Sequence, residues 1–341
     1  MPFATAVATL AGTAAAANAA PPVSDRLSHV QGLLADDLRW IEAALLEVAA
    51  DGPAPGTHAA RHLVASGGKR IRPIALLLSS ACYGKIPEAA RELAVVAELV
   101  HTATLLHDDV VDEGDTRRGL PTSRLVWGNA VSVLAGDLLL VNGLERTQRL
   151  APGCMPELIR TLRRLVDGEI IQLRGRTELD VSEATYERIL FDKTASLFSW
   201  ATRTGAAVAG ASAEDQAHLA SFGERLGFAF QLVDDVIDYA GEKSGKTLFA
   251  DLREGKLTLP LVLTVKEQPE LLRDLKRIYA GDSEPVASVS AAVQQSGACD
   301  EVRRRAREYT RLGLESLRSI APSPARSLLE IVATELTARA R

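Results

Sequence analysis

Two stretches of this chain, Glu92 to Val111 and Phe222 to Tyr239, are apolar on almost every side, and both carry the same acidic pattern at their C-terminal ends. The first is Asp108-Asp109-Val110-Val111-Asp112 and the second is Asp234-Asp235-Val236-Ile237-Asp238, each of the form D-D-x-x-D. A surface helix shows one apolar stripe and one polar face, so stretches without a polar face are expected to be central, buried helices. The spacing puts the first and last carboxylates four residues apart and the second and last three apart, on one helix face. Three like charges so close repel one another, and anions near a helix C-terminus are unfavourable. No Lys or Arg lies at helix spacing before either cluster. A divalent cation is the natural compensation. Mg²⁺ suits it, taking one or two carboxylates and completing its shell with phosphate and water. A solvated acidic helix end is the plainer account of one cluster, but it fits poorly with two of identical spacing on nearly all-apolar helices. No D-x-D-x-D-G loop points to calcium.

Elsewhere apolar residues also recur at helical spacing. Leu27, Val30, Leu34, Leu38, Ile41, Leu45 and Val48 begin the series, and residues 70–82, 88–112, 123–150, 156–175, 183–210 and 214–240 continue it. So do 258–267, 270–280, 285–296, 299–319 and 324–339, with breakers such as Asp51-Gly52-Pro53, Gly119 with Pro121, and Pro152-Gly153 between them. No alternating strand flanked by hairpin turns and no fixed repeat is visible. The expected fold is all-α, one large helical bundle over residues 25–341 after an Ala-rich flexible arm at 1–24.

Composition limits the partners. Of 341 residues 47% are hydrophobic, enough for a sizeable core, and the net charge of −5 gives no basic surface for nucleic acid. Three scattered cysteines, Cys82, Cys154 and Cys299, argue against a disulfide framework and for a reducing compartment. The N-terminus ends its Ala-rich run like a signal-peptide cleavage site, but no Lys or Arg precedes Arg26, so a cytoplasmic protein is expected. No run of about 18 uncharged apolar residues suggests an integral membrane segment.

Basic residues gather at Gly-containing breaks: Gly67-Gly68-Lys69-Arg70-Ile71-Arg72-Pro73, Arg117-Arg118-Gly119, Asp192-Lys193-Thr194, Gly245-Lys246-Thr247 and Gly255-Lys256. Each alone reads as a solvated turn. Together with the carboxylates they suit a metal–polyphosphate complex, Arg as a fork and Lys as a point charge. Gly241 to Thr247 imitates a nucleotide-binding P-loop, but it is one residue short between its glycines and follows a helix rather than a strand.

The chain resembles the trans-type polyprenyl diphosphate synthases from about residue 25 onward. The resemblance lies in Gly68-Lys69-Arg70-Ile71-Arg72-Pro73, in His107 through Asp112 with Arg117-Arg118-Gly119, in Phe230-Gln231-Leu232-Val233-Asp234-Asp235, and in Asp251 through Pro260. It implies the isoprenoid synthase fold, a helical bundle around a central cavity, and a homodimer. It also implies three Mg²⁺ ions, with Asp108, Asp112 and Asp234 as the main metal ligands. Asp109 and Asp235 would join them as catalytic residues and Asp238 as a substrate-binding one. Arg117, Lys193, Thr194, Gln231, Lys246 and Lys256 would hold an allylic diphosphate. Lys69, Arg72, His101 and Arg118 would hold isopentenyl diphosphate. On residue type alone, His101 reads as a core histidine; the resemblance gives it the substrate role.

The expected reaction needs no Ser–His–Asp set: metals and cations stabilise charge on departing pyrophosphate, and apolar walls keep water from the allylic cation. Lys193, Thr194 and Gln231 are candidates to offer dipoles to that cation. Family tunnels run beneath the first cluster, where Ala103 and Thr104 are small, and the chain is only 4% aromatic. A long all-trans product from a farnesyl or geranylgeranyl primer follows, with a quinone side chain as end use. Short-chain synthesis is the alternative. A class I terpene cyclase, a non-catalytic synthase subunit and a metal-storage bundle fit less well, because the pattern at Asp234, the six aspartates and the basic residues each go unexplained by one of them.

Overall fold

The computed structural model describes residues 21–239 and 249–338. The Ala-rich stretch before Pro21, the P-loop imitation at 241–247 and Lys246 therefore lie outside the described residues.

The described chain is almost wholly helical. In order it forms α1 (Pro21–Val48), α2 (Gly56–Ala65), α3 (Ile71–Ala81), α4 (Glu88–Val111), α5 (Ser123–Trp127), α6 (Asn129–Leu150), α7 (Met155–Glu178) and α8 (Glu183–Leu190). A five-residue π-turn at Phe191–Ala195 joins α8 to α9 (Ser196–Val208). Then come α10 (Ala213–Tyr239), α11 (Ala250–Arg253), α12 (Leu259–Glu267), α13 (Leu271–Tyr279), α14 (Val286–Gln295), α15 (Ala298–Leu317) and α16 (Pro324–Ala338). The chain packs into two compact units interleaved in sequence. One holds the described residues up to Leu158 with Ala201–Ala220 and Ile320–Ile331; the other holds Ile159–Trp200, Ser221–Ser319 and Val332 onward.

The two apolar stretches occupy the interiors their sequences demand. In the first unit α4 packs against α6, α3 and α1, and no residue from Glu92 to Asp112 is exposed. Leu93, Val95, Leu99, Ala103 and Leu106 are fully enclosed. Two acids within this helix, Glu92 and Glu98, are buried against Arg146 and Arg70, as charges in a core must be. In the second unit, no residue of α10 from Phe222 to Tyr239 is exposed. Phe228, Leu232, Val233 and Val236 pack with Tyr186, Leu190 and Val302 in one core cluster, and Tyr239 joins Leu252, Leu275 and Val289 in another.

The structure departs from the periodicity in four places. Gly56–Ala65 is helical, a stretch absent from the expected helices. Helix α1 begins at Pro21, inside the stretch expected as an arm. The segment 123–150 is two helices, because Gly128 adopts φ 85° and ψ 162°, outside the helical region. A miniature antiparallel ribbon pairs β1 (Thr116–Arg117) with β2 (Leu120–Pro121). Its two turn residues, Arg118 and Gly119, have φ 55° and 76°. Two successive left-handed residues are what a tight hairpin turn requires, and Gly119 supplies one without steric cost.

Candidate functional site

In the first unit the three aspartates differ in setting. Asp108 and Asp112 are half-buried, while Asp109 is 2% exposed. Asp112 closes the helix, its N–H donating to Asp108 O at 2.8 Å. Asp109 turns the other way and accepts from Arg117 Nε at 2.6 Å. Burial pushes the Asp109 carboxyl above the usual carboxylate range, opposed by the Arg117 charge. Asp108 and Asp112 are thus less enclosed than Asp109.

Arg117 stands on the ribbon beside a concentration of cations. Arg118 Nη1 donates to Ser66 Oγ at 3.2 Å. A Cβ on Gly68 would lie 3.1 Å from Arg70 Nη1 and 3.2 Å from Arg118 Nη2, so that glycine leaves the space between two guanidiniums. His101 is held neutral, well below its ordinary range, by burial and by the charges of Arg72, Arg118, Arg117 and Arg70. Burial also lowers Arg72 to about 10 and lowers Arg118, each opposed by Glu98. Arg70 is anchored rather than available: it is 4% exposed and donates to Glu42 at 2.7 Å and to Glu98. The structure therefore brings Arg72, His101, Arg117 and Arg118 together, with Lys69 exposed nearby in sequence. Backbone strain clusters here too, since Arg70, Glu113 and Arg118 all have φ between 50° and 55°.

The ribbon is tied at both legs. Arg124 donates from Nε to Gly114 O at 3.1 Å, and from Nη2 to Glu113 O at 2.5 Å and Asp115 Oδ1 at 3.2 Å. Thr122 Oγ1 donates to Gly114 O at 2.7 Å. His62 Nε2 bonds Pro121 O at 2.8 Å; a carbonyl only accepts, so the ring donates.

In the second unit Asp234 is half-buried, whereas Asp235 and Asp238 are enclosed. Asp235 accepts from Tyr186 OH at 2.7 Å, from Gln231 Nε2 at 2.9 Å and from the Leu259 N–H at 3.1 Å. Burial pushes its carboxyl up to about 7, opposed by the Gln231, Tyr186 and Leu259 donors. Asp238 accepts from the Ala250 N–H at 3.1 Å and so fixes the start of α11. Gln231 Oε1 in turn accepts from Thr194 Oγ1 at 3.1 Å. Lys193, next to it in the π-turn, pairs with Glu169. Helix α7 comes close enough for that pair because residue 168 is glycine: a Cβ there would be 2.9 Å from Asp192 Cβ. Thr194, Gln231 and Asp235 thus form one hydrogen-bonded chain, with Lys193 beside it in sequence. Lys256 bonds Glu254 at 2.6 Å. Ala103 is fully buried and Thr104 half-buried, its hydroxyl donating to His101 O at 2.8 Å.

Sequence reasoning missed Glu98, Arg124, Glu169 and Tyr186. Glu98 had a signal, an acid in an apolar helix three residues before His101; the others are joined to their partners only by folding. Among the described residues no three His, Cys, Asp or Glu side chains form a ready metal cage. A donor set of one or two half-buried carboxylates per cluster still fits a hard cation that keeps waters and phosphate in its shell. No described helix is long and apolar enough to cross a membrane.

The chain was compared with known proteins. The polyprenyl synthetase family model matches residues 56–296. The octaprenyl diphosphate synthase of Escherichia coli is 34% identical over 311 residues, covering 89% of this chain and 96% of that protein. A short chain isoprenyl diphosphate synthase of Methanothermobacter thermautotrophicus is 32% identical over 284 residues, covering 81% and 87%. The crystal structure of a decaprenyl diphosphate synthase from Rhodobacter capsulatus superposes with a TM-score of 0.85 at 34% identity, covering 92% of this chain and 99% of that one. With an acidic cluster closing a buried helix in each unit and arginines gathered beside the first, the chain belongs to the polyprenyl synthetase family.

Proposed function

We propose that this chain is a Mg²⁺-dependent prenyltransferase that adds isopentenyl diphosphate to an allylic diphosphate, farnesyl or geranylgeranyl, to make a long all-trans polyprenyl diphosphate. The observation that carries it is local to the first unit: the half-buried carboxylates of Asp108 and Asp112 lie in the same short stretch as Arg117 and Arg118, which stand with Arg72 around a neutral His101. Acids that hold a cation and arginines that hold phosphate oxygens are the two halves of a metal–diphosphate site.

Arg72, His101, Arg118 and Lys69 bind the isopentenyl diphosphate, which stays attached and so needs uniform holding. Arg117, Lys193, Thr194, Gln231, Lys246 and Lys256 bind the allylic diphosphate, whose C–O bond breaks with the electron pair leaving on pyrophosphate. The isopentenyl double bond attacks the allylic cation, and the proton then lost passes to pyrophosphate. Bound Mg²⁺, three ions held by Asp108, Asp112 and Asp234, would supply Lewis-acid neutralisation of the leaving group. Thr194 and Gln231 already share a hydrogen bond that orients the Gln231 carbonyl dipole. Asp109, Asp235 and Asp238 position these groups rather than hold metal, because their oxygens accept from Arg117, from Tyr186 with Gln231, and from the Ala250 N–H.

The second reading is a short-chain product. Ala103 is fully buried, so on this point the wall is closed and Thr104 is the more open of the two length-setting residues. A homodimer is supported by large apolar side chains left exposed on α6, Val133, Leu134 and Val141. A cytoplasmic site of action and a quinone side chain as end use complete the proposal. Incubation with Mg²⁺, farnesyl diphosphate and labelled isopentenyl diphosphate, with products sized, tests it. Elongation to seven or more units, an estimate from packed tunnel walls, is expected. Arrest at about four units would favour the short-chain reading, and no transfer would defeat both. Thr104→Phe should shorten whatever product forms.

A further inference from the structure

We propose that Arg124 is a positioning residue for diphosphate binding: its guanidinium fixes the Glu113–Asp115 turn, and with it the ribbon that presents Arg117 and Arg118. The inference rests on the proposed role of those two arginines. Nothing in the acidic or basic motifs points to Arg124, which lies six residues beyond Arg118 at the start of α5.

Three observations carry it. The first is the fork. Arg124 places Nε on the Gly114 carbonyl and Nη2 on both the Glu113 carbonyl and the Asp115 carboxylate. Its donors are directed at one turn and not at the ribbon's anion-facing side, so it acts through others. The second is strain. Glu113 has φ 53°, a left-handed conformation that a non-glycine residue keeps only when its surroundings impose it. The carbonyl that Arg124 grips is that residue's own. The third is placement. In a helix of only five residues the first and last turns overlap, so the helix dipole does not explain the arginine there. The carbonyl contacts do.

The consequence runs along the chain. Asp109 O accepts from the Gly114 N–H at 3.0 Å, so the turn begins at the acidic cluster itself. Two residues past the turn, Arg117 meets Asp109; one further, Arg118 meets Ser66. Thr122 holds the same turn from the other side, its hydroxyl on Gly114 O and its N–H on Asp115 O at 3.0 Å. With Arg124 in place, the two arginines are delivered at fixed spacing. Without its fork, the Glu113 carbonyl loses its side-chain donor and the left-handed turn can relax.

The test compares the full chain with Arg124→Lys and Arg124→Ala. Lysine keeps the charge but offers no fork, so it separates positioning from simple attraction of anions. Binding of inorganic pyrophosphate with Mg²⁺ is measured by calorimetry, KM for isopentenyl diphosphate by turnover, and Tm by thermal melting. We expect both variants to weaken pyrophosphate binding and to raise that KM by about tenfold, with kcat changed less and the folded fraction intact. A merely structural role would lower Tm and the active fraction while the surviving enzyme kept its KM; that result overturns the inference. So does an Arg124→Lys protein with the binding and KM of the parent. A parent that binds pyrophosphate but transfers no prenyl group defeats the proposed reaction, while the binding comparison still decides the role of Arg124.

Discussion

The two acidic clusters have the same spacing and opposite surroundings. In both, the first aspartate is half-buried and the second is enclosed. The enclosed Asp109 is met by a cation, Arg117, whereas the enclosed Asp235 is met by neutral donors, Tyr186, Gln231 and the Leu259 N–H. The third aspartate of the first cluster ends its helix; that of the second lies inside α10 and caps the next segment through Ala250. Equal spacing therefore fixes which carboxylates share a helix face, and the elements packed around them decide how deeply each is enclosed. On the proposed function, Asp234 in the second cluster and Asp108 and Asp112 in the first are the metal ligands.

The sharpest way to break this comparison is to neutralise neighbours in turn. Asp234→Asn and Asp108→Asn should each lower kcat by about 10²–10³, the scale of removing one element of electrostatic stabilisation. Asp235→Asn should cost less than about tenfold, because the amide oxygen can still accept from Tyr186 and the Leu259 N–H, and only the Gln231 bond is lost. Equal losses at 234 and 235, measured with labelled isopentenyl diphosphate, would erase the distinction. Next in size is stability. Asp109→Asn strips Arg117 of a buried carboxylate and should cost about 1–3 kcal/mol by urea denaturation. Tyr186→Phe removes one neutral donor from Asp235 and should cost about 1 kcal/mol. If it costs more than Asp109→Asn, the contrast between a charged and a neutral anchor is wrong.

The smallest effect sharpens the comparison through pH. His101 is depressed below its ordinary value by burial and four arginines. Below about pH 6.5 the unfolded chain takes up a proton that the native ring refuses, so stability falls as pH falls. For a ring that stays neutral, the loss is about 0.8 kcal/mol at pH 6. A His101→Gln protein should lose about 0.7 kcal/mol less between pH 7 and 6, since a small part of the loss is already present at pH 7. Identical slopes for the two proteins would mean that the cationic surroundings do not act on the ring.

Much of the fold was legible because burial writes itself as continuous apolar sequence. Glu92 to Val111 and Phe222 to Tyr239 had no polar face to give the surface, and neither contains an exposed residue. What stayed hidden depends on backbone geometry or on distant partners. Gly56–Ala65 buries Thr57, Ala59, Ala60, Leu63 and Val64, but it is only ten residues long and follows directly on Pro53 and Pro55, which read as breakers. The ribbon needs only two residues per strand, shorter than any alternation could reveal. Of the site, the acids and most of the bases were readable as residue types. The division of labour among them was not: nothing near Asp235 in sequence announces Tyr186, 49 positions away, or the Leu259 N–H, 24 positions on.

The π-turn at Phe191–Ala195 sets a phase. Each residue of an α-helix advances it by about 100°, so one additional residue in a continuous helical run rotates everything before it relative to everything after. Here the run from Glu183 to Val208 uses that offset to aim Tyr186 at Asp235 while Ala195 and Phe198 remain seated in the interior. The angular relation is stored in the number of residues rather than in their identity. Substitution scanning across the turn would pass over it, whereas excising a single residue would swing the phenol away from its acceptor and leave every side chain chemically unchanged.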